Sequence, residues 1–259
     1  MKNIYKATKL VGDAYAKQIV GASPEVEIWL VHKLQHTFNV AEEIMDIFFG
    51  EKDVYSLFNE EERRMVKIAA VLHDLGRFYQ HKDGHYISGK EFDHGWEAVK
   101  LIKDIAGVND PKILFAIAEH NHKAIDYENS IYKAMTPEEQ HKADIMAKLL
   151  RDADKIENIN CFVYFGMERL GTIPDGGLSD GVKQDIAAKR TINYANVKTS
   201  SDSLAISLAW VNDIYYNTTV QKLKKLDFLN YGIEQIKERG ASREDIAFLK
   251  EHLQYRTLV

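Results

Sequence analysis

Ala69-Ala70-Val71-Leu72-His73-Asp74-Leu75-Gly76-Arg77-Phe78-Tyr79-Gln80 reads as the last turns of a buried helix that ends by presenting an imidazole and a carboxylate side by side. The apolar run up to Leu72 suits a core helix, and Gly76 stands where a helix commonly stops. Neutral imidazole with ionised carboxylate is the donor mixture that suits zinc, manganese or iron rather than a sulfur-ligated structural site. With ten histidines in 259 residues, one His-Asp pair alone decides little. Its weight comes from the histidines and carboxylates before and after it.

The surrounding chain reads as helical. Three of the four prolines mark helix starts: Ser23-Pro24-Glu25, Asp110-Pro111-Lys112 and Thr136-Pro137-Glu138-Glu139, each with a capping side chain before the proline. Glu139 is placed to complete a capping box with Thr136. Between these starts apolar residues recur at helical spacing and no convincing strand pair appears. The pattern predicts helices over 4–19, 24–49, 60–76, 94–106, 111–122, 137–170, 179–195, 202–226, 227–239 and 243–255. The fold class expected is all-α.

Composition sets the outer limits. A net charge of −5 with both signs well mixed gives no basic field for nucleic acid, so no DNA duplex is expected as a partner. The single cysteine, Cys161, excludes an intrachain disulfide and every cysteine-rich metal site. The first residues, Met1-Lys2-Asn3-Ile4-Tyr5-Lys6, lack the apolar core of a signal peptide, and no stretch approaches an uncharged membrane span. A cytoplasmic protein without a membrane partner is the expectation.

Chemistry is concentrated in the first part of the chain. Nine of the ten histidines precede the loop Gly171-Thr172-Ile173-Pro174-Asp175-Gly176-Gly177, and only His252 follows it. Residues 1–170 are therefore expected to form the chemical domain. Residues 171–259 form a helical extension expected to pack on the same core, with a lid or a homodimer contact as alternatives.

Along the first part, His32 and His36 stand one turn apart on a shared helix face, ahead of Val40, Ile44 and Ile47. A His-Glu-x-x-His zinc helix is excluded, because Lys33-Leu34-Gln35 separates them. His73 and Asp74 come next. His94 falls in the first turn of a helix opened by Asp93, and Glu119-His120-Asn121-His122 closes the one after it. Finally Arg151-Asp152-Ala153-Asp154-Lys155-Ile156 puts two carboxylates in mid-helix, where a separation of two residues sends them to opposite sides.

The ordered series His36, His73-Asp74, His94, His120 and Asp154 resembles the HD superfamily of metal-dependent phosphohydrolases. His36-Thr37-Phe38-Asn39-Val40-Ala41 looks like the family's first histidine helix. Ala70-Val71-Leu72-His73-Asp74-Leu75-Gly76-Arg77 follows its signature nearly throughout, with Arg77 where lysine is common. Ala153-Asp154-Lys155-Ile156 resembles its closing motif. The resemblance covers about residues 24–160 and implies an all-α bundle.

It also implies a ligand set. His36, His73, Asp74 and Asp154 would hold a first divalent ion; His94 and His120 would complete a second, with Asp74 bridging. Register favours Asp154 over Asp152, leaving Asp152 solvated or behind the ligands. His122 is the competitor for His120, and His32 for His36. The GYP element is absent, since the chain continues His120-Asn121-His122-Lys123-Ala124-Ile125. Cleavage of cyclic dinucleotides of the HD-GYP kind is therefore not expected.

The implied activity is hydrolysis of a small phosphate ester, a nucleotide in particular, by metal-activated water. One or two ions of manganese, zinc, cobalt, nickel, magnesium or iron would serve. Asp74, Arg77 and Lys123 are the residues expected to take part in the chemistry, and Lys82, Lys90 and Arg151 are further cations near the ligands. Phe78, Tyr79 and Tyr86 would either stack on a base or simply pack. Two alternatives share the ligand set: a di-iron oxygenase of the inositol-oxygenase type, and a regulatory module without catalysis.

Overall fold

The structure is a computed structural model that describes residues 2–82, 85–86, 92–165 and 173–256. Lys90, the side chains of Lys82 and Tyr86, Gly171-Thr172 and the last five residues of the helix predicted over 137–170 lie outside the described residues. The fold is all-α. Among the described residues the only sheet is a two-residue antiparallel ladder, in which β1 (His81–Lys82) pairs with β2 (His85–Tyr86). None of the described helices is long and apolar enough to cross a membrane.

The chain divides into two compact units, Met1–Glu157 and Asn158–Val259. The first holds α1 (Lys2–Ile19), α2 (Pro24–Gly50), α3 (Lys52–Ser56), α4 (Glu60–Leu72), α5 (His94–Ile102), α6 (Pro111–Glu119), α7 (Ser130–Lys133) and most of α8 (Pro137–Phe165). The proline starts are capped as their sequence predicts. Ser23 Oγ accepts from Val26 N, Asp110 Oδ1 accepts from Lys112 N, and Thr136 and Glu139 bond reciprocally. Asn59 builds a full capping box with Glu62 at the head of α4.

Within this unit α4 is the central element, packed by α1, α2 and α6. Its last turns, Ile68 to Leu72, are fully or almost fully buried. On α2 the stripe Leu30, His36, Val40, Ile44 and Ile47 faces the same core. Burial of such aliphatic side chains at about 1.5–3 kcal/mol each is the main force holding these helices together.

The predicted end of this central helix is corrected, and the helix predicted over 179–195 likewise stops early, at Ala187. α4 stops at Leu72 rather than at Gly76; Asp74 leaves the helical region at φ −97°, ψ 13°, and Leu75–Tyr79 continues as a 3₁₀ helix packed on α5. Gly76 serves close approach rather than termination. A Cβ there would lie 2.2 Å from the carbonyl oxygen of His94. Gly95 repeats the device one element later, where a Cβ would meet Ile117 O and Asn121 Oδ1 at 2.7 Å. Two missing side chains thus let the end of α4, the head of α5 and the tail of α6 converge.

The second unit contains α9 (Asp180–Ala187), α10 (Ser200–Ala209), α11 (Asn217–Lys225), α12 (Phe228–Glu238) and α13 (Arg243–His252). Here α12 packs on α10, α11 and α13. The helix predicted over 202–226 is two helices, because Trp210–Asp213 tightens into a 3₁₀ turn and Ile214–Tyr216 runs without helix into α11. Buried aspartates tie its loops: Asp202 accepts from Ser179 N, Lys198 N and Thr199 N, and Asp245 from Leu178 N and Ser242 N.

Candidate metal centre

His73 caps α4, and its Nδ1–H donates to the carbonyl of Ala70 at 2.6 Å. That bond fixes the tautomer and leaves the Nε2 lone pair facing the interior, buried without a hydrogen-bond partner. Across from it, α2 presents His36, whose ring centre is 5.4 Å away. His36 Nδ1 is taken by the carboxylate of Glu157 on α8, so its Nε2 also turns inward. Carboxylates that orient a ligating histidine through its other nitrogen are the usual support of a metal ligand.

Around these two nitrogens stand carboxylate oxygens. Asp74 Oδ2 is 3.6 Å from His36 Nε2 and 3.8 Å from His73 Nε2; Asp154 Oδ1 is 3.0 Å and 3.9 Å from the same atoms. Donor atoms 3–4 Å apart are the spacing expected when each lies about 2 Å from one ion. His73 Nε2, buried among these donor atoms, has no hydrogen-bond partner, so its lone pair there lacks a stabilising contact. The imbalance shows in the titration. Burial presses His36 down, but Asp154 and Glu157 outweigh it and hold its pKa above the usual imidazole range. Asp74, Asp154 and Glu157 outnumber the one ammonium group close by, that of Lys33, and a further cation would offset the remainder.

The other oxygen of Asp74 faces a second group. Oδ1 is 3.4 Å from His94 Nε2 and 3.6 Å from His120 Nε2, and the two ring nitrogens are 3.2 Å apart. His120 Nδ1–H donates to Ile117 O at 2.6 Å, repeating the arrangement at His73. Burial drives the pKa of His94 well below its ordinary value, which keeps that ring neutral and able to coordinate. His73 is pushed down to about 4, again chiefly by burial. His36, His73 and Asp74 on one side, and Asp74, His94 and His120 on the other, are two buried groups that could each hold a metal ion.

Burial alone would raise the pKa of Asp74, but Lys33, His73, His120 and Arg77 hold it well below the carboxylate range. Asp154 is likewise held far down, with His36 outweighing its burial. Both are ionised wherever the protein is folded near neutrality.

The structure brings together His36, His73, Asp74, His94, His120 and Asp154. Of the other residues named from the sequence, Arg77 and His32 border this cluster and the rest take different places. Asp152 is fully buried and so is not a solvated carboxylate. His122 is engaged at both ring nitrogens, to Asp93 Oδ2 at 2.9 Å and Glu119 Oε2 at 3.0 Å; these bonds raise its pKa to about 9. It is an imidazolium joining the head of α5 to the tail of α6. His32 stacks over His36 with ring centres 6.2 Å apart.

Arg77 keeps Nε 3.5 Å from Asp74 Oδ1 while its Nη1–H donates to Gln80 Oε1. Lys123 carries an exposed side chain. Arg151 is buried and spent on backbone: its Nη1 donates to the carbonyls of Glu119 and His122 at 2.8 and 2.6 Å, closing the C-terminal end of α6. Phe78 is fully buried, edge-on to Tyr15, so it packs the core rather than a base.

Three partners escaped the sequence reading. Lys33 is buried and its Nζ donates to Asp74 Oδ2 at 3.0 Å. Glu157 orients His36. Asn121 donates to Asp93 Oδ1 and lies 3.4 Å from His94 Nδ1. The available signals were spacing: Lys33 interrupts the apolar stripe of α2 three residues before His36, and Glu157 is three residues beyond Asp154.

Comparison with known families decides the identity of this arrangement. Residues 34–159 match the HD domain model. This chain carries an HD domain. No curated protein and no solved structure matches the chain. HD domains bind divalent metals and are a superfamily of metal-dependent phosphohydrolases. The matched span begins two residues before His36 and ends two beyond Glu157. Thus all six converging residues and the carboxylate behind His36 belong to the HD domain.

Proposed function

We propose that the protein is a metal-dependent hydrolase of a small phosphate ester, with nucleotides the first substrate class to try. The observation that carries this reading is the division of Asp74, whose two oxygens face separate groups of imidazoles within an HD domain. One carboxylate shared in this way is what a two-ion site requires. His36, His73, Asp74 and Asp154 would hold one ion, and Asp74, His94 and His120 the other.

Divalent ions at such positions supply a water of lowered pKa and a Lewis acid for phosphoryl oxygens. The chain's own part is preorganisation. Ala70 O, Ile117 O and Glu157 fix the three imidazoles as Nδ1 donors, so no ring has to turn before it can coordinate. Burial of His36, His73 and Asp74 keeps water from competing for their donor atoms. Arg77 sets a permanent positive charge beside Asp74, where developing charge on a nonbridging oxygen gains from it. Residues 171–259 would then be an accessory helical extension, in keeping with a site built from residues 33–157.

The test is phosphate release. Chelated protein should be inactive on a panel of phosphomonoesters and phosphodiesters, and manganese, zinc or cobalt should restore turnover. Iron retained through purification, with oxygen uptake and no phosphate release, would move the assignment to a di-iron oxygenase.

A further inference from the structure

We propose that Lys33 is the substrate-binding cation of this site: its ammonium group leaves Asp74 to take a nonbridging oxygen of the phosphoryl group. This rests on the phosphohydrolase reading and adds a residue to it. Lys33 occupies a place on α2 where the pattern calls for an apolar residue, in line with Leu30, Val40 and Ile44. Burying an ammonium group there is costly unless it is paired. Its partner is Asp74 Oδ2 at 3.0 Å, the oxygen that also faces His36 Nε2 and His73 Nε2.

That oxygen cannot satisfy both neighbours equally. A divalent cation beside His36 and His73 would stand within a few ångströms of the ammonium group, and in a buried setting the repulsion is strong. Each cation therefore weakens the binding of the other. A phosphate dianion removes the conflict, because it accepts from the ammonium group while bridging toward the metal. Lys33 is also well tethered for such a handover. Its backbone carbonyl is held by Thr37 Oγ1–H at 2.9 Å, and its side chain is only 11% exposed, so the head group has few other places to go. Arg77 already attends the other oxygen of Asp74 at 3.5 Å. The two cations then flank the shared carboxylate, one for each side of the anion.

Coupling of this kind has a signature that a purely structural lysine lacks. Lys33→Met keeps the length of the stem and removes the charge. We expect K33M to bind manganese about tenfold more tightly and inorganic phosphate about tenfold more weakly in the presence of manganese, since the same charge opposes one and favours the other. KM for a phosphoester should rise accordingly, and Lys33→Arg should recover phosphate affinity. Unchanged affinities in K33M, or looser manganese binding, would overturn the proposal and leave Lys33 as a structural counter-ion. Should K33M fail to fold, a crystal structure of the unmodified protein with manganese and phosphate decides: Nζ on a phosphate oxygen supports it, and Nζ still on Asp74 alone refutes it. Failure of the hydrolase reading looks different. The unmodified protein would bind manganese and phosphate with the K33M contrast intact, yet release no phosphate from any ester.

Discussion

The two sides of Asp74 are built from different material. On the Oδ2 side the imidazoles and Asp154 come from α2, α8 and the end of α4, and Glu157 adds a further carboxylate behind His36. On the Oδ1 side the imidazoles sit at the head of α5 and just beyond α6, each helix only nine residues long. Among the described residues no carboxylate other than Asp74 belongs to that buried group, and Arg77 approaches the same oxygen. Lys33 offsets part of the charge at Oδ2, but with Asp154 and Glu157 beside it negative charge is still concentrated on that side, while the other relies on imidazoles and one shared oxygen. A divalent cation should bind the Oδ2 side first and leave the Oδ1 side first.

The largest effect expected is at the shared atom pair. Asp74→Asn should abolish both occupancies by metal analysis and reduce turnover by roughly a thousandfold, about 4 kcal/mol of barrier. Retention of one full equivalent would show that the two sides do not depend on a common carboxylate. Next, His73→Ala and Asp154→Ala should empty the Oδ2 side and with it most of the activity, whereas Asp152→Ala should retain metal and lose stability instead. Metal loss in the Asp152 variant with normal occupancy in the Asp154 variant would reverse the assignment on α8.

His94→Ala and His120→Ala should leave one equivalent bound while cutting catalysis sharply, because one end of a two-ion clamp is gone. If the unmodified protein carries a single ion that neither substitution disturbs, the Oδ1 side is a substrate-contacting surface instead. A smaller effect belongs to Glu157→Gln. Losing the carboxylate behind His36 should weaken metal binding about 10- to 100-fold. The ion on the Oδ1 side should be indifferent, and equal weakening of both would remove the asymmetry.

How much of this could be read in the sequence follows from the range of each interaction. The all-α fold and the helix starts were legible because capping and helical periodicity are local. The residues that converge around Asp74 could be named because their types and order are distinctive, and their role as ligands is what the substitutions above test. The ending of α4 was not, since Gly76 suits a helix stop as well as a close approach, and only the position of His94 O separates the two. The partners of Lys33, Arg151 and His122 were not legible for a related reason. A charged residue in isolation reads as solvated, and nothing local reveals that Lys33 meets Asp74, that Arg151 closes α6, or that His122 lies between two carboxylates.

His122 gives the finest test of how the weaker side is held. Its two nitrogens join Asp93, which caps α5, to Glu119 at the end of α6, and those helices carry or adjoin His94 and His120. Asp93 and Glu119 raise its pKa from an ordinary 6.5 to about 9. A group whose folded pKa lies above its unfolded value stabilises the fold fully below the unfolded pKa and loses that contribution as pH rises through the folded one. The clamp should therefore be intact at pH 6, decline between about 6.5 and 9, and contribute nothing beyond. Its side chain is 29% exposed, so solvent reduces the effect, and a contribution on the order of 1–2 kcal/mol is expected. In chelator, the unfolding free energies of the unmodified protein and His122→Gln should differ at pH 6 and converge by pH 9.5. A difference that stays constant over that window would mean that His122 holds α5 to α6 by packing and neutral hydrogen bonds, with its charge playing no part.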